Sequence, residues 1–361
     1  MASDGRRGSG RRGQRRGAFS VLLATTALAL ACAPPEDETG GEGDTYLVPD
    51  SSQPAGSDSS RAAGPAGLDT IPGTHWTERD WEILEAKVRW AVAEGLPGRP
   101  MGEAVARLGA TFVGTTYTPQ TLEAPGAEQL VINLRELDCV TFIENVLALT
   151  WLIRNEGTAI LDDRSRAMRR YEDYLTAVRY RDGRMEGYAS RLHYFSDWLL
   201  NNQEMGLIEL RTEELGGVPD PEPIDFMSSH PDAYRQLAEA GVLDDIRRRE
   251  ERLDAAGPRL YLPEDRVGSV AERIADGDLI AATSTVEGLD VAHTGIALWQ
   301  DGRLHLLHAP LVGKSVEISE KPLAERILDI SSQDGVMVAR PLEWPGSPRV
   351  RSSDGAASRA P

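Results

Sequence analysis

Apolar positions along the 361-residue chain follow two different periods. From about residue 77 to residue 201 they recur at helical spacing. Thr77 caps a helix with Trp81, Leu84, Val88 and Trp90 or Val92 on its inner face. Pro100 opens a second short helix, MGEAVARLG. ATFVGTTYTPQTLE is a turn-rich connection and LVINL a short strand. LDCVTFIENV then starts a long helix with Phe142, Ile143, Val146, Leu147, Thr150 and Trp151 on its apolar side. Residues 163–178 and 190–201 also read as helical, and 231–254 as a mostly charged, exposed helical pair. From GDLIAATS onward the period falls to two. VAHTGIALWQ and RLHLLHAPL are strands joined by Asp301-Gly302, a two-residue hairpin signal, and KSVEISEKPL and GVMVARPL complete an antiparallel sheet. Helices first and strands last predict an α+β fold, with the helix behind Cys139 packed on the sheet. No internal repeat is visible.

The two ends of the chain read differently. Residues 1–31 consist of a basic stretch, MASDGRRGSGRRGQRRG, and the apolar run AFSVLLATTALALA, followed by Cys32. This is the layout of a secretory signal. The apolar run has about fourteen residues, fewer than the roughly 20 that span a membrane. With a cysteine closing the segment, residues 1–31 resemble a bacterial lipoprotein signal, with Cys32 the acylated first residue of the mature chain; an ordinary cleaved signal followed by a chance cysteine is the alternative. Ala29 stands where the usual lipobox has leucine. The expected location is the cell envelope, lipid-anchored and facing the periplasm. Residues 32–72, rich in Pro, Gly, Ser, Asp and Glu, read as a disordered tether, residues 73–345 as the folded domain, and residues 346–361 as a disordered tail.

Charge narrows the partners. The whole chain carries −18; the leader holds six Arg and one Asp, so the mature chain has 33 basic and 56 acidic residues, a net −23. Such a surface repels nucleic acid and anionic membrane surfaces. Contact with the membrane is therefore expected only through the lipid at Cys32.

Export also changes the meaning of cysteine. Structural cysteines in an oxidising compartment usually pair. With Cys32 acylated, Cys139 has no disulfide partner left among two cysteines. Taken alone Cys139 reads as core, because cysteine is among the most buried residue types. Asp138, however, is an N-cap candidate that puts Cys139 at the first helical position. Backbone N–H groups and the helix dipole stabilise a thiolate there.

A nucleophilic thiol also needs a base, and the base an orienting group. His75 and His230 fall in edge and loop segments, at the surface. With the turn at Asp301-Gly302, Gln300 pairs with Arg303, His293 falls opposite Pro310, and Gly295 opposite His308. His293 and His308 then share one face, while His305 pairs with Leu298 and points the other way. A histidine pair on one face of a hairpin suits a base and its orienter.

These residues together resemble the NlpC/P60 cysteine peptidases, whose papain-like fold places a cysteine at a helix N-terminus and two histidines on the sheet. Asp138-Cys139, His293-Thr294-Gly295-Ile296 and His308-Ala309 carry that likeness. The chain is most similar to one branch, the DUF1460 family of N-acetylmuramoyl-L-alanine amidases, through VINLRELDCVTFIENVLALT, GYASRLHYFSDWL and GLDVAHTGIALWQDGRLHLLHA. The resemblance covers nearly all of residues 100–345. It implies Cys139 as nucleophile, His293 as base and then acid, and His308 as the third polar residue. It further implies that Tyr117, Arg191, His193 and Tyr194 line a cleft for peptidoglycan fragments. Plain structural roles compete at each of the four: Tyr117 as a core cap, His193 and Tyr194 packing with Trp198, and Arg191 pairing with Glu186 or Asp197. Glu144 and Asn145 read as helix-surface or supporting groups. No third His, Glu or Cys clusters at ligand spacing, so no metal or other cofactor is expected. A D,L-endopeptidase with the same triad and a non-catalytic binder of muropeptides are the alternative readings.

Overall fold

The computed structural model describes residues 70–71, 74–311 and 315–346. The leader, Cys32, nearly all of the tether and the tail beyond residue 346 lie outside the described residues. The described chain is a mixed α+β structure with helices packed on an antiparallel sheet.

The helical half opens with α1 (Glu78–Ala93), whose N-cap Thr77 and Asp80 form a reciprocal capping box. Trp81, Leu84, Val88 and Ala91 are buried along it; Trp90 and Val92 only partly. Pro100 caps α2 (Met101–Ala110). A two-residue strand β1 (Thr116–Tyr117) pairs in parallel with β2 (Glu136–Leu137). The central helix α3 (Cys139–Glu156) follows directly, then α4 (Arg164–Arg179) and α5 (Phe195–Glu204). Helix α3 is buried from Thr141 to Ile153 all around, as expected of a helix enclosed by others and by the sheet.

The sheet is assembled from β3 (Ile208–Leu210), β4 (Val218–Asp220), β5 (Arg259–Pro263), β6 (Leu279–Ser284), β7 (Val291–Gln300), β8 (Arg303–His308), β9 (Glu317–Ile318) and β10 (Gln333–Pro341). Its strand order is β4-β5-β10-β6-β7-β8-β9, with β3 paired to β10. One face carries Ile296, Leu307 and Met337 against the α3 side. The other carries Ile280, Leu304, Leu306 and Val338 against Leu323 and Ile327.

Several expectations from the sequence are corrected. LVINL forms no strand; the Leu134 N–H donates to Asp80 (2.9 Å) and the Val131 carbonyl accepts from Arg179 (2.8 Å), so side chains take the place of a partner strand. The helix expected over 190–201 begins only at Phe195, after a single 3-10 turn, Tyr188–Ser190. Residues 231–254 are not a pair of exposed helices. Two 3-10 turns, Pro231–Ala233 and Arg235–Ala238, lead into a helix over Val242–Ala255. That helix buries Glu250, and its Ile246 and Leu253 join a third apolar cluster with Tyr194, Phe226 and Tyr234.

Candidate active site

The cleft begins where α3 begins. Asp138 caps the helix, its carboxylate accepting the N–H groups of Val140 (3.1 Å) and Thr141 (2.8 Å), while Thr141 Oγ1 accepts the Asp138 N–H (2.9 Å). This reciprocal cap fixes Cys139 as the first residue of the helix. Thr294 on β7 donates its hydroxyl to the Cys139 carbonyl (2.8 Å), tying the helix start to the sheet. Cys139 is 5% exposed and lines the cleft together with His293.

The hairpin has the expected register: Gln300 faces Arg303, Leu298 faces His305 and Ile296 faces Leu307. Asp301 (φ 52°) and Gly302 (φ 76°) both take the left-handed conformation that a two-residue hairpin turn demands. His293 Nε2 and His308 Nδ1 are 2.7 Å apart, rings nearly perpendicular. His305 turns away, its Nδ1 bonded to the Ser319 carbonyl (2.8 Å). Gly295, between the two histidines in register, has no room for a side chain: a Cβ would sit 2.7 Å from a Leu306 methyl and 2.9 Å from the Leu307 carbonyl oxygen. Ladder partners shift between Ala282–His293 and Thr283–Val291, a bulge that gives β7 one extra residue at Ala292. Bulges re-aim side chains, and this one immediately precedes the histidine that lines the cleft.

Burial, then the neighbouring His308 and Arg326, hold the His293 imidazole well below the usual histidine range. It is therefore neutral near pH 7 and able to accept a proton.

The four residues implied as cleft lining all reach the cleft. Tyr117 is placed by pairing with Leu137, two residues before Cys139. Arg191 does not pair with Glu186 or Asp197. It binds Glu123 (2.6 Å), lies 3.5 Å from Glu128 and donates to the Leu122 carbonyl (3.1 Å), while Asp197 pairs with Arg181. His193 Nε2 bonds the Tyr188 carbonyl (2.9 Å), and burial together with Arg191 keeps this ring neutral too. The Tyr194 hydroxyl donates to Glu250 (2.7 Å) and accepts the Met227 N–H (2.8 Å), so the ring, not the hydroxyl, is what Tyr194 offers a ligand.

Glu144 and Asn145 are not at the helix surface. Both are buried. Glu144 Oε2 accepts from Arg179 Nε at 2.7 Å, and burial pushes the Glu144 carboxyl up against the pull of that guanidinium. The Arg179 carbonyl accepts the Leu192 N–H (3.0 Å), so the pair links α3, α4 and the Arg191–Tyr194 wall. Removing one partner of a buried pair strands the other's charge. Arg179→Met is expected to destabilise the protein by about 3–5 kcal/mol, a fall in Tm of roughly 10 °C. Arg179→Met combined with Glu144→Leu is expected to recover much of that loss, as read by calorimetry.

Sequence reasoning missed Glu123, Met227, Tyr234 and Asp290 in the lining. Asp290 accepts the N–H groups of Ser196 (2.7 Å) and Val291 (2.8 Å), joining the start of α5 to β7. Its place three residues before His293 was the only available signal. Glu123, in a turn-rich loop, gave none. Among the described residues no three His, Cys, Asp or Glu side chains converge to hold a metal, and no helix is long and apolar enough to cross a membrane.

Comparison with known proteins places the chain in a family. The family model AmiA-like, N-acetylmuramoyl-L-alanine amidase-like, matches residues 107–333. A crystal structure of an N-acetylmuramoyl-L-alanine amidase from Bacteroides uniformis ATCC 8492 is 35% identical, with a TM-score of 0.61, covering 67% of this chain and 99% of the other. A DUF1460 protein from Legionella pneumophila, 20% identical, shares the fold with a TM-score of 0.51 over 72% of this chain and 95% of its own. A comparison with curated proteins gives no match. The chain belongs to the AmiA-like, N-acetylmuramoyl-L-alanine amidase-like family.

Proposed function

We propose that this protein is a cysteine-dependent N-acetylmuramoyl-L-alanine amidase with the papain-like NlpC/P60 arrangement. Its substrate is the amide between N-acetylmuramic acid and L-Ala in peptidoglycan fragments. It works in the cell envelope, exported by residues 1–31 and anchored through lipidated Cys32. The observation that carries the catalytic reading is the convergence of three groups: Cys139 at a capped helix start, His293 in the same cleft, and His308 bonded to His293 at 2.7 Å.

Because His293 Nε2 is engaged by His308, Nδ1 is the nitrogen assigned to the thiol. His293 takes the Cys139 proton, and the sulfur attacks the lactyl carbonyl. The Cys139 amide, the first-turn donor closest to the sulfur, is assigned to the resulting oxyanion. The C–N bond breaks as His293 returns its proton to the L-Ala nitrogen. Water, deprotonated by His293, then cleaves the muramoyl thioester and restores the thiol. His293 is buried and neutral, so it enters the cycle as the base without first losing a proton.

The cleft wall suits a peptide-bearing fragment. Tyr117, Tyr194 and Tyr234 give flat apolar surface, and Arg191 with Glu123 gives a fixed polar contact. The test is turnover of a defined muropeptide by the full chain during iodoacetamide treatment, with the alkylated cysteine located by peptide mass. Activity should fall in step with modification of Cys139; activity that survives complete modification of Cys139 refutes the mechanism. In the same assay His308→Ala is expected to lose at least about 100-fold in kcat/KM and His305→Ala less than about threefold. Equal losses would show that the His293–His308 pairing is not the working one.

A further inference from the structure

The candidate triad does not end at His308. Strand β9 places Glu317 directly opposite His308, and Glu317 Oε1 lies 3.9 Å from His308 Nε2. We propose that Glu317 is a positioning residue that selects the working tautomer of both histidines; this rests on the reading of Cys139 and His293 as nucleophile and base.

The reasoning is one of proton placement. The 2.7 Å contact between His293 Nε2 and His308 Nδ1 holds one proton, which either ring can supply. If His308 Nδ1 carries it, neutral His293 must carry its own proton on Nδ1, the nitrogen assigned to the thiol, and cannot act as base. If His293 Nε2 carries it, His293 Nδ1 is a lone pair and His308 keeps its proton on Nε2. A carboxylate beside His308 Nε2 favours that second arrangement, because the N–H it faces is the proton the arrangement requires. The same charge supports the imidazolium that His293 becomes when the thiol gives up its proton. That support matters because burial, His308 and Arg326 all disfavour a charged His293.

Glu317 is held in place on two sides. Ile318 pairs with Leu307 in the β8–β9 ladder. On the other side, Val316 exchanges backbone hydrogen bonds with the segment leading into β1: the Gly114 N–H donates to the Val316 carbonyl and the Val316 N–H to the Thr115 carbonyl, both at 2.8 Å. Alternation along β9 keeps Glu317 on the histidine face, since Ile318 packs with the opposite core. Charged and titratable groups around the pair include Cys139 from α3, Glu317 from β9 and Arg326 from the Leu323–Asp329 helix. His305 is turned to the other face.

A buried carboxylate that sets a catalytic tautomer is worth about 10⁴ in rate. The Glu317 side chain is 40% exposed, so solvent screens it, and Glu317→Gln is expected to cost about tenfold in kcat with KM unchanged. Glu317→Asp, which keeps the charge, is expected to recover part of the loss. The discriminating measurement is a double-mutant cycle with His308→Asp. A carboxylate only accepts, so His293 Nε2 must carry the shared proton and no tautomer remains to be chosen. In that background Glu317→Gln is expected to add less than about twofold. A parallel reading uses no substrate: iodoacetamide alkylation of Cys139 in the full chain across pH, sited by peptide mass. Glu317→Gln should slow alkylation about tenfold near pH 7 and leave it unchanged in alkali, where the thiol ionises without the imidazole. Unchanged alkylation near pH 7, or a full tenfold loss persisting in the His308→Asp background, overturns the proposal. The alkylation arm does so whether or not muropeptides prove to be the substrate.

Discussion

Cys139→Ala is expected to abolish muropeptide hydrolysis, at least about a 10³-fold loss, while the melting transition stays within a few degrees of the parent. The two halves of that expectation have different causes. Activity fails because no other thiol is present among the described residues. Stability holds because what fixes the helix start is the Asp138 cap, the Thr141 hydroxyl and the Thr294 bond to the Cys139 carbonyl, all independent of the sulfur. The apolar side chains that anchor α3, from Phe142 to Ile153, also remain. A variant that lost activity by unfolding would lose its cooperative melt as well, so kcat/KM and calorimetry on one preparation separate the two.

His293→Ala is expected to lose roughly 10³-fold or more in kcat/KM, with the same retention of fold. The loss should exceed that of His308→Ala, because the proposed mechanism has His293 handle the proton in both half-reactions and His308 only orient it. Iodoacetamide gives a second reading: without His293 the Cys139 thiol loses its base, and alkylation near neutral pH should fall with turnover. Loss of turnover with alkylation unchanged would place His293 in substrate binding instead.

Much of this site was legible in the sequence because its parts are local. An N-cap followed by an apolar helical run locates Cys139 within one turn. Asp-Gly between two alternating runs sets a hairpin register, and the register alone puts His293 diagonal to His308 and sends His305 away. Long-range features were hidden. The bulge at Ala292 leaves no mark in the alternation of VAHTGIALWQ. Arg191 finds Glu123 and Glu128 in a loop some 60 residues earlier rather than the acidic residues near it in sequence. Glu144 read as a supporting or surface group because a charged residue on a helix is usually solvated. Its partner Arg179 stands on a different helix. The exposed reading of 231–254 failed similarly, since Ile246 and Leu253 are few but meet Tyr194 and Phe226 from elsewhere.

The family likeness and the geometry leave the scissile bond as the point on which function turns. The most direct measurement is a digest of defined muropeptides by the full chain, with products identified by mass. Release of a free peptide beginning with L-Ala, and of a sugar ending in its lactyl carboxylate, is the predicted result. Release of a disaccharide that still carries L-Ala-D-Glu would contradict it and make the enzyme an endopeptidase.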